Sequence, residues 1–158
     1  MELQGSRHAA GCRFAVVVSR FNEDVTARLL QGALDTLEQA EVSADDITLV
    51  RVPGAFEIPL TAMRMAETGQ FDAVVTIGCL IKGDTMHFEY IASACSHGIV
   101  QASTATGVPI SFGVLTTLTE EQAIARSAPG PENKGREAAL AAIEMATLLR
   151  QVAQEILE

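Results

Sequence analysis

The chain has 158 residues, 48% hydrophobic and 20% charged, which suits one globular domain with a sizeable core and excludes a disordered polymer. Its formal net charge of −9, with no basic cluster against it, argues against nucleic acid or an anionic membrane as partner. No apolar run is long enough to span a bilayer, and MELQGSRHAAG lacks an apolar signal core, so a cytoplasmic location is expected.

Residues 1–12 are polar enough to form a flexible arm, or one that lies on a neighbouring subunit, and 13–158 read as a single domain. RFAVVVS (13–19) is a β-branched run ended by a polar loop, and it predicts a central strand. A helix begins at Asn22 or Glu23 and runs to about Ala40, with Val25, Leu29, Ala33 and Leu37 in one stripe that Leu30 and Leu34 widen. SADD (43–46) is a turn and ITLVRV (47–52) a second strand. After Pro53 and Gly54 a helix from about Ile58 to Thr68 carries Leu60, Met63 and Met65, with Pro59 near its start.

DAVVTIGCLI (72–81) contains the third strand, and a helix rich in Ala and Ser follows from about His87 to Thr106. PISFGVLT (109–116) is the fourth strand. Thr119 with Gln122 makes a capping-box pattern for a helix over 120–127, APGPEN (128–133) breaks it, and a last helix covers about Gly135 to Ile156. Strand–helix repeated four times, with one extra helix, specifies a flavodoxin-like three-layer α/β sandwich. Its four-stranded parallel sheet has helices on both faces and right-handed crossovers.

The chemistry concentrates after the strands. In GDTMHFE (83–89), Gly83 permits a tight turn and Asp84 or Thr85 can cap the following helix. His87 then sits in the first helical turn at the carboxyl end of a parallel strand, where open α/β sheets bind ligands. The free N–H groups of that helix start make a seat for phosphate beside an imidazole. SRFNE (19–23) adds Phe21, PGAFEIP (53–59) adds Glu57, and FGVLTT (112–117) adds Phe112, all expected at one end of the sheet. Aromatic faces, a carboxylate, an imidazole and an anion seat together describe a site for a polar heterocycle plus a phosphate. Cys12, Cys79 and Cys95 show no ligand or disulfide spacing, and Cys79, closing a buried strand, reads as a small apolar residue before it reads as a nucleophile.

Six segments in this order and spacing resemble the lumazine synthase family of riboflavin biosynthesis. They are SRFNE (19–23), VPGAFEIP (52–59), IGCLIKGDTMHFEY (77–90), FGVLTT (112–117), EQAIAR (121–126) and NKG (133–135). The resemblance covers about 13–150. It implies condensation of 5-amino-6-(D-ribitylamino)uracil with 3,4-dihydroxy-2-butanone 4-phosphate to 6,7-dimethyl-8-ribityllumazine, phosphate and water, with no metal or organic cofactor. Carried over by position, Phe21 stacks on the pyrimidine, Ala55, Phe56 and Glu57 lie along the ribityl chain and ring, and Cys79, Leu80 and Ile81 offer backbone hydrogen bonds. Asp84, Thr85 and Arg126 hold the phosphate, His87 moves protons, and Phe112 and Lys134 come from across a subunit interface.

The resemblance also implies a homo-oligomer of pentamers, with sixty-chain icosahedral shells in many members and an association with riboflavin synthase. Only SAPGPE separates Arg126 from Asn133, which leans toward the shell. Two departures stand out. Lys82 replaces a common Arg and loses the planar fork. Asp84 is an anion at a phosphate seat, so its side chain is expected to cap the helix or to meet Lys82 or Arg126. Two other classes stay open at this point: a carrier that holds FMN or a lumazine without turnover, which has no need of His87 and Arg126, and a shell or scaffold protein.

Overall fold

The sheet is built around a strand that no solvent reaches. In the computed structural model, which describes residues 1–157, all six residues of β1 (Phe14–Ser19) are buried. β1 pairs in parallel with β2 (Ile47–Val52) on one side and β3 (Ala73–Ile81) on the other, and β3 pairs in parallel with β4 (Ile110–Thr117). The order is β2–β1–β3–β4, which leaves β2 and β4 as edges. Side chains alternate between two cores, as strand pleating requires. Phe14, Val16 and Val18 face one with Val75 and Ile77, while Ala15 and Val17 face the other with Val74 and Val114.

Helices close both faces. α1 (Glu23–Gln39), α4 (Glu120–Ser127) and α5 (Lys134–Val152) cover the first core, and α2 (Ile58–Glu67) and α3 (His87–Thr106) cover the second. The predicted stripe of α1 is buried at Val25, Leu29, Leu30, Ala33 and Leu37. In α2 the stripe differs from expectation: Ile58, Ala62 and Ala66 are buried, whereas Leu60 is 68% exposed. Small residues bring α2 close to its neighbours, and a Cβ on Gly98 of α3 would stand 2.7 Å from the Cβ of Pro59. The Thr119 cap forms, its hydroxyl accepting from Gln122 N–H at 3.2 Å, but the Gln122 amide returns to Leu118 N–H at 2.9 Å instead of to Thr119. α5 ends at Val152, and a wider helical turn, Ala153–Leu157, completes the expected last helix.

Two further placements differ from the sequence reading. FGVLTT is strand throughout: Thr117 is still paired with Ile81, and Phe112 lies opposite Thr76. Phe112 therefore stands on the edge of the sheet, 44% exposed, and not at its carboxyl end. The β-branched Thr117 extends the pairing one residue past the expected end of the strand at Thr116. Residues 1–12 run over their own domain, with Ala9 and Cys12 buried. Ala9 N–H donates to Ala40 O at 2.9 Å and Ser6 N–H to the Thr147 hydroxyl at 2.8 Å. Among the described residues no helix is long and apolar enough to cross a membrane.

Leu29 is fully buried at the centre of the α1 stripe. Leu29→Ala is expected to cost about 2–5 kcal/mol, seen as a lower denaturant midpoint with an unchanged slope.

Candidate active site

Three strand ends converge on one opening. At the end of β1 the chain turns sharply through Asn22, whose φ of 61° and ψ of 50° are left-handed, a conformation Asn tolerates better than most residues. The Asn22 amide donates to Cys79 O at 3.0 Å, and Phe21 N–H donates to Pro53 O at 3.2 Å. The β1 loop is thus tied to the ends of β2 and β3, and the Phe21 ring is held out, 67% exposed. After β2, a single tight turn, Ala55–Glu57, buries Ala55 and presents Phe56 and Glu57 to solvent. The Glu57 carboxylate has no hydrogen-bond or ion-pair partner among the described residues.

β3 ends at Leu80 and Ile81, both half-buried, and the site loop follows. Met86, not Asp84 or Thr85, occupies the cap position of α3, and it makes no side-chain cap bond. Its φ of −74° and ψ of 0° are already close to helical, so the chain coils into α3 without a separate capping turn. Thr85 contributes one long bond, its hydroxyl accepting from His87 N–H at 3.4 Å. Uncapped first-turn N–H groups are what an anion needs. The Asp84 carboxylate meets neither expected partner. Lys82 pairs with Glu89 at 3.4 Å, and Arg126 lies elsewhere.

These residues enclose a hollow of about 650 Å³ lined by Phe21, Ala55, Phe56 and Glu57 on one side. Leu80, Ile81, Thr85 and His87 line the other. Phe88 and Ile91 complete the wall. Ile91 was not identified from sequence, although its position one helical turn after His87 carries the signal. Three of the remaining five candidates, Phe112, Arg126 and Lys134, line a second hollow of about 360 Å³ along β4. No residue lines both hollows. There Lys134 Nζ pairs with Glu137 at 2.8 Å, and Arg126 donates to Gln122 O at 3.3 Å. Asp84 and Cys79 line neither.

A family model described as 6,7-dimethyl-8-ribityllumazine synthase matches residues 11–150. A 6,7-dimethyl-8-ribityllumazine synthase of Salinibacter ruber (strain DSM 13855 / M31) is 53% identical over 147 residues, 93% of this chain and 94% of the relative. The chain belongs to the 6,7-dimethyl-8-ribityllumazine synthase family. The match spans every motif that carried the resemblance, from SRFNE to NKG.

Within this family fold the cysteines are packing residues. Burial, with a smaller contribution from the Asp24 carboxylate, pushes the Cys79 thiol up to about 11, and burial alone does the same for Cys95. A thiol so hard to ionise is a poor nucleophile. It also couples stability to pH. Above pH 9.0, the ordinary thiol value, the unfolded chain loses protons that the folded chain keeps until about 11. Stability present below that window therefore falls as pH rises through it. The denaturant midpoint is expected to drop between about pH 8 and about pH 10, and to drop less in the Cys79→Ala/Cys95→Ala double variant.

Proposed function

We infer that the protein condenses 5-amino-6-(D-ribitylamino)uracil with 3,4-dihydroxy-2-butanone 4-phosphate to give 6,7-dimethyl-8-ribityllumazine, phosphate and water. The observation that carries the reading is the hollow at the carboxyl ends of β1, β2 and β3, where Phe21, Glu57, Thr85 and His87 share one wall-to-wall space. Its volume and largely apolar lining suit a flat ring with a polar chain, and its mouth carries an imidazole beside a helix start.

Phe21 stacks on the pyrimidine, and Glu57 accepts from ribityl hydroxyls, which its unpartnered carboxylate is free to do. Ala55, Phe56, Leu80 and Ile81 bound the ring and chain. Cys79 acts only through its backbone, sharing its carbonyl with the Asn22 amide. The ketose phosphate lies against the α3 start and Thr85, with Asp84 contributing its backbone N–H. The ribityluracil amine attacks the ketone, water leaves as the imine forms, phosphate is eliminated, and a second dehydration closes the ring. Each step moves protons near neutrality, and His87, exposed beside the seat, shuttles them. Holding two substrates in contact supplies much of the rate.

Phe112, Arg126 and Lys134 serve a neighbouring copy. Their hollow opens along the edge strand β4, separate from the His87 hollow of the same chain, and two cations there suit a phosphate in need of charge stabilisation. The working unit is then a ring in which each site joins the strand ends of one subunit to the β4 edge of the next, as in a heterologous cyclic assembly. Pentamers are the proposed ring. The short connection between Arg126 and Asn133 favours further closure into a sixty-chain shell, which a solution mass measurement decides.

The test is turnover. Purified protein with both substrates should yield the lumazine and free phosphate, undiminished by chelator. His87→Asn should lower turnover by roughly ten- to ten-thousand-fold while pyrimidine affinity and assembly size hold. Turnover within about twofold of the parent would return His87 to helix packing, since Asn sits well at a helix start.

A further inference from the structure

We propose that Asn133 is the positioning residue of the cationic face: its buried side-chain amide fixes Arg126 of α4 and Lys134 of α5 in register against α1. The inference rests on the reading of those two cations given above and concerns how they are held. Asn133 is 2% exposed. Its Nδ2 group donates to Ser127 O at 2.9 Å, to Ala128 O at 3.2 Å and to Arg28 O at 3.3 Å. Its Oδ1 accepts from Arg136 N–H at 3.0 Å and so caps α5. One carboxamide thus joins three helices, with Arg126 one residue before the first carbonyl it binds and Lys134 one residue after it.

The backbone around it is shaped to admit that contact. A Cβ on Gly32 of α1 would stand 2.2 Å from Asn133 Oδ1, so α1 is bare where the carboxamide sits. A Cβ on Gly135 would stand 1.8 Å from Leu29 O, so the first turn of α5 rests directly on the α1 backbone. Arg28 Nε adds a tie to the Ser127 hydroxyl at 3.3 Å. Both cations are long side chains on separate helices, and Arg126 is exposed, so their common aim depends on the helix ends that carry them.

Capping and tying can be separated. Asp caps a helix as well as Asn and can still accept from Arg136 N–H. It has no N–H to give, and its carboxylate would face three carbonyl oxygens. A residue that only caps tolerates Asn133→Asp; a residue that ties does not. Gly32→Ala presses on the same carboxamide from α1 while improving helix propensity and touching no site residue.

The experiment compares steady-state kinetics of Asn133→Asp, Gly32→Ala and Arg126→Ala, with inorganic phosphate as a competitive probe of the anion seat. Both tie variants should raise the KM of the ketose phosphate and the inhibition constant of phosphate by roughly tenfold or more, with the pyrimidine KM within about twofold of the parent. Should Asn133→Asp not fold, Gly32→Ala carries the same forecast. Equal losses for both substrates, or none, in a folded tie variant whose Arg126→Ala counterpart is selective would overturn the role of Asn133. An Arg126→Ala variant with unchanged phosphate affinity would overturn the reading of the cationic face, and this inference with it.

Discussion

A parallel sheet with helices on both faces leaves only its strand ends and its edges for chemistry, and that constraint governs this molecule. β1 is buried completely, and the side chains of β1 and β3 alternate into two sealed cores. What remains open is the carboxyl end, where Phe21, Glu57 and His87 meet, and the β4 edge, where Phe112, Arg126 and Lys134 meet. The two openings share no lining residue. In the proposed reading, a reaction that uses an aromatic stack, an imidazole and a phosphate clamp together draws on two copies of the chain, and assembly becomes part of the chemistry.

The electrostatics fit that division. The chain carries −9 overall and takes an anionic substrate, so cations must be placed where the phosphate arrives and need not extend further. Lys134 is held by Glu137, but both side chains are well exposed, and such a pair is worth little in water. It can be exchanged for a phosphate at small cost. At the other opening Met86 makes no cap bond and Thr85 only one long one, which in the proposed reading leaves the α3 start open to the same anion.

Most of the fold was legible because its signals are local. The alternation of apolar strands with amphipathic helices gave the topology, and the ranges of β2, α3 and α4 agree with their expected limits. Two of the misplacements come from partners distant in sequence. Thr117 reads as lying past the strand until Ile81 is set beside it, and Phe112, expected at the sheet's carboxyl end, lies opposite Thr76 on its edge. Leu60 fits an apolar stripe by type, yet Ala62 and Ala66 win the buried face because α2 packs close. The capping of α3 differs for a local reason, since Met86 enters the helix at near-helical angles and Thr85 adds only one long bond to His87 N–H. Asn133 was visible only as part of a motif, because the carbonyls it binds lie on α1 and at the end of α4. The close approaches of Gly32 on α1 to Asn133 and of Gly135 on α5 to Leu29 O are the kind of signal that shows only once two helices touch.

Complementation tests the two-copy site most directly. His87→Asn removes the proton shuttle from one opening, and Arg126→Ala removes the anion clamp from the other, so each variant alone should turn over poorly. Co-assembled in equal amounts into mixed rings, about a quarter of the interfaces would join an intact strand-end opening to an intact β4 edge. Turnover should then rise well above that of either variant, toward about a quarter of the parent's. Mixed rings no more active than the average of the two variants would contradict the account, because both openings would then have to act within a single chain.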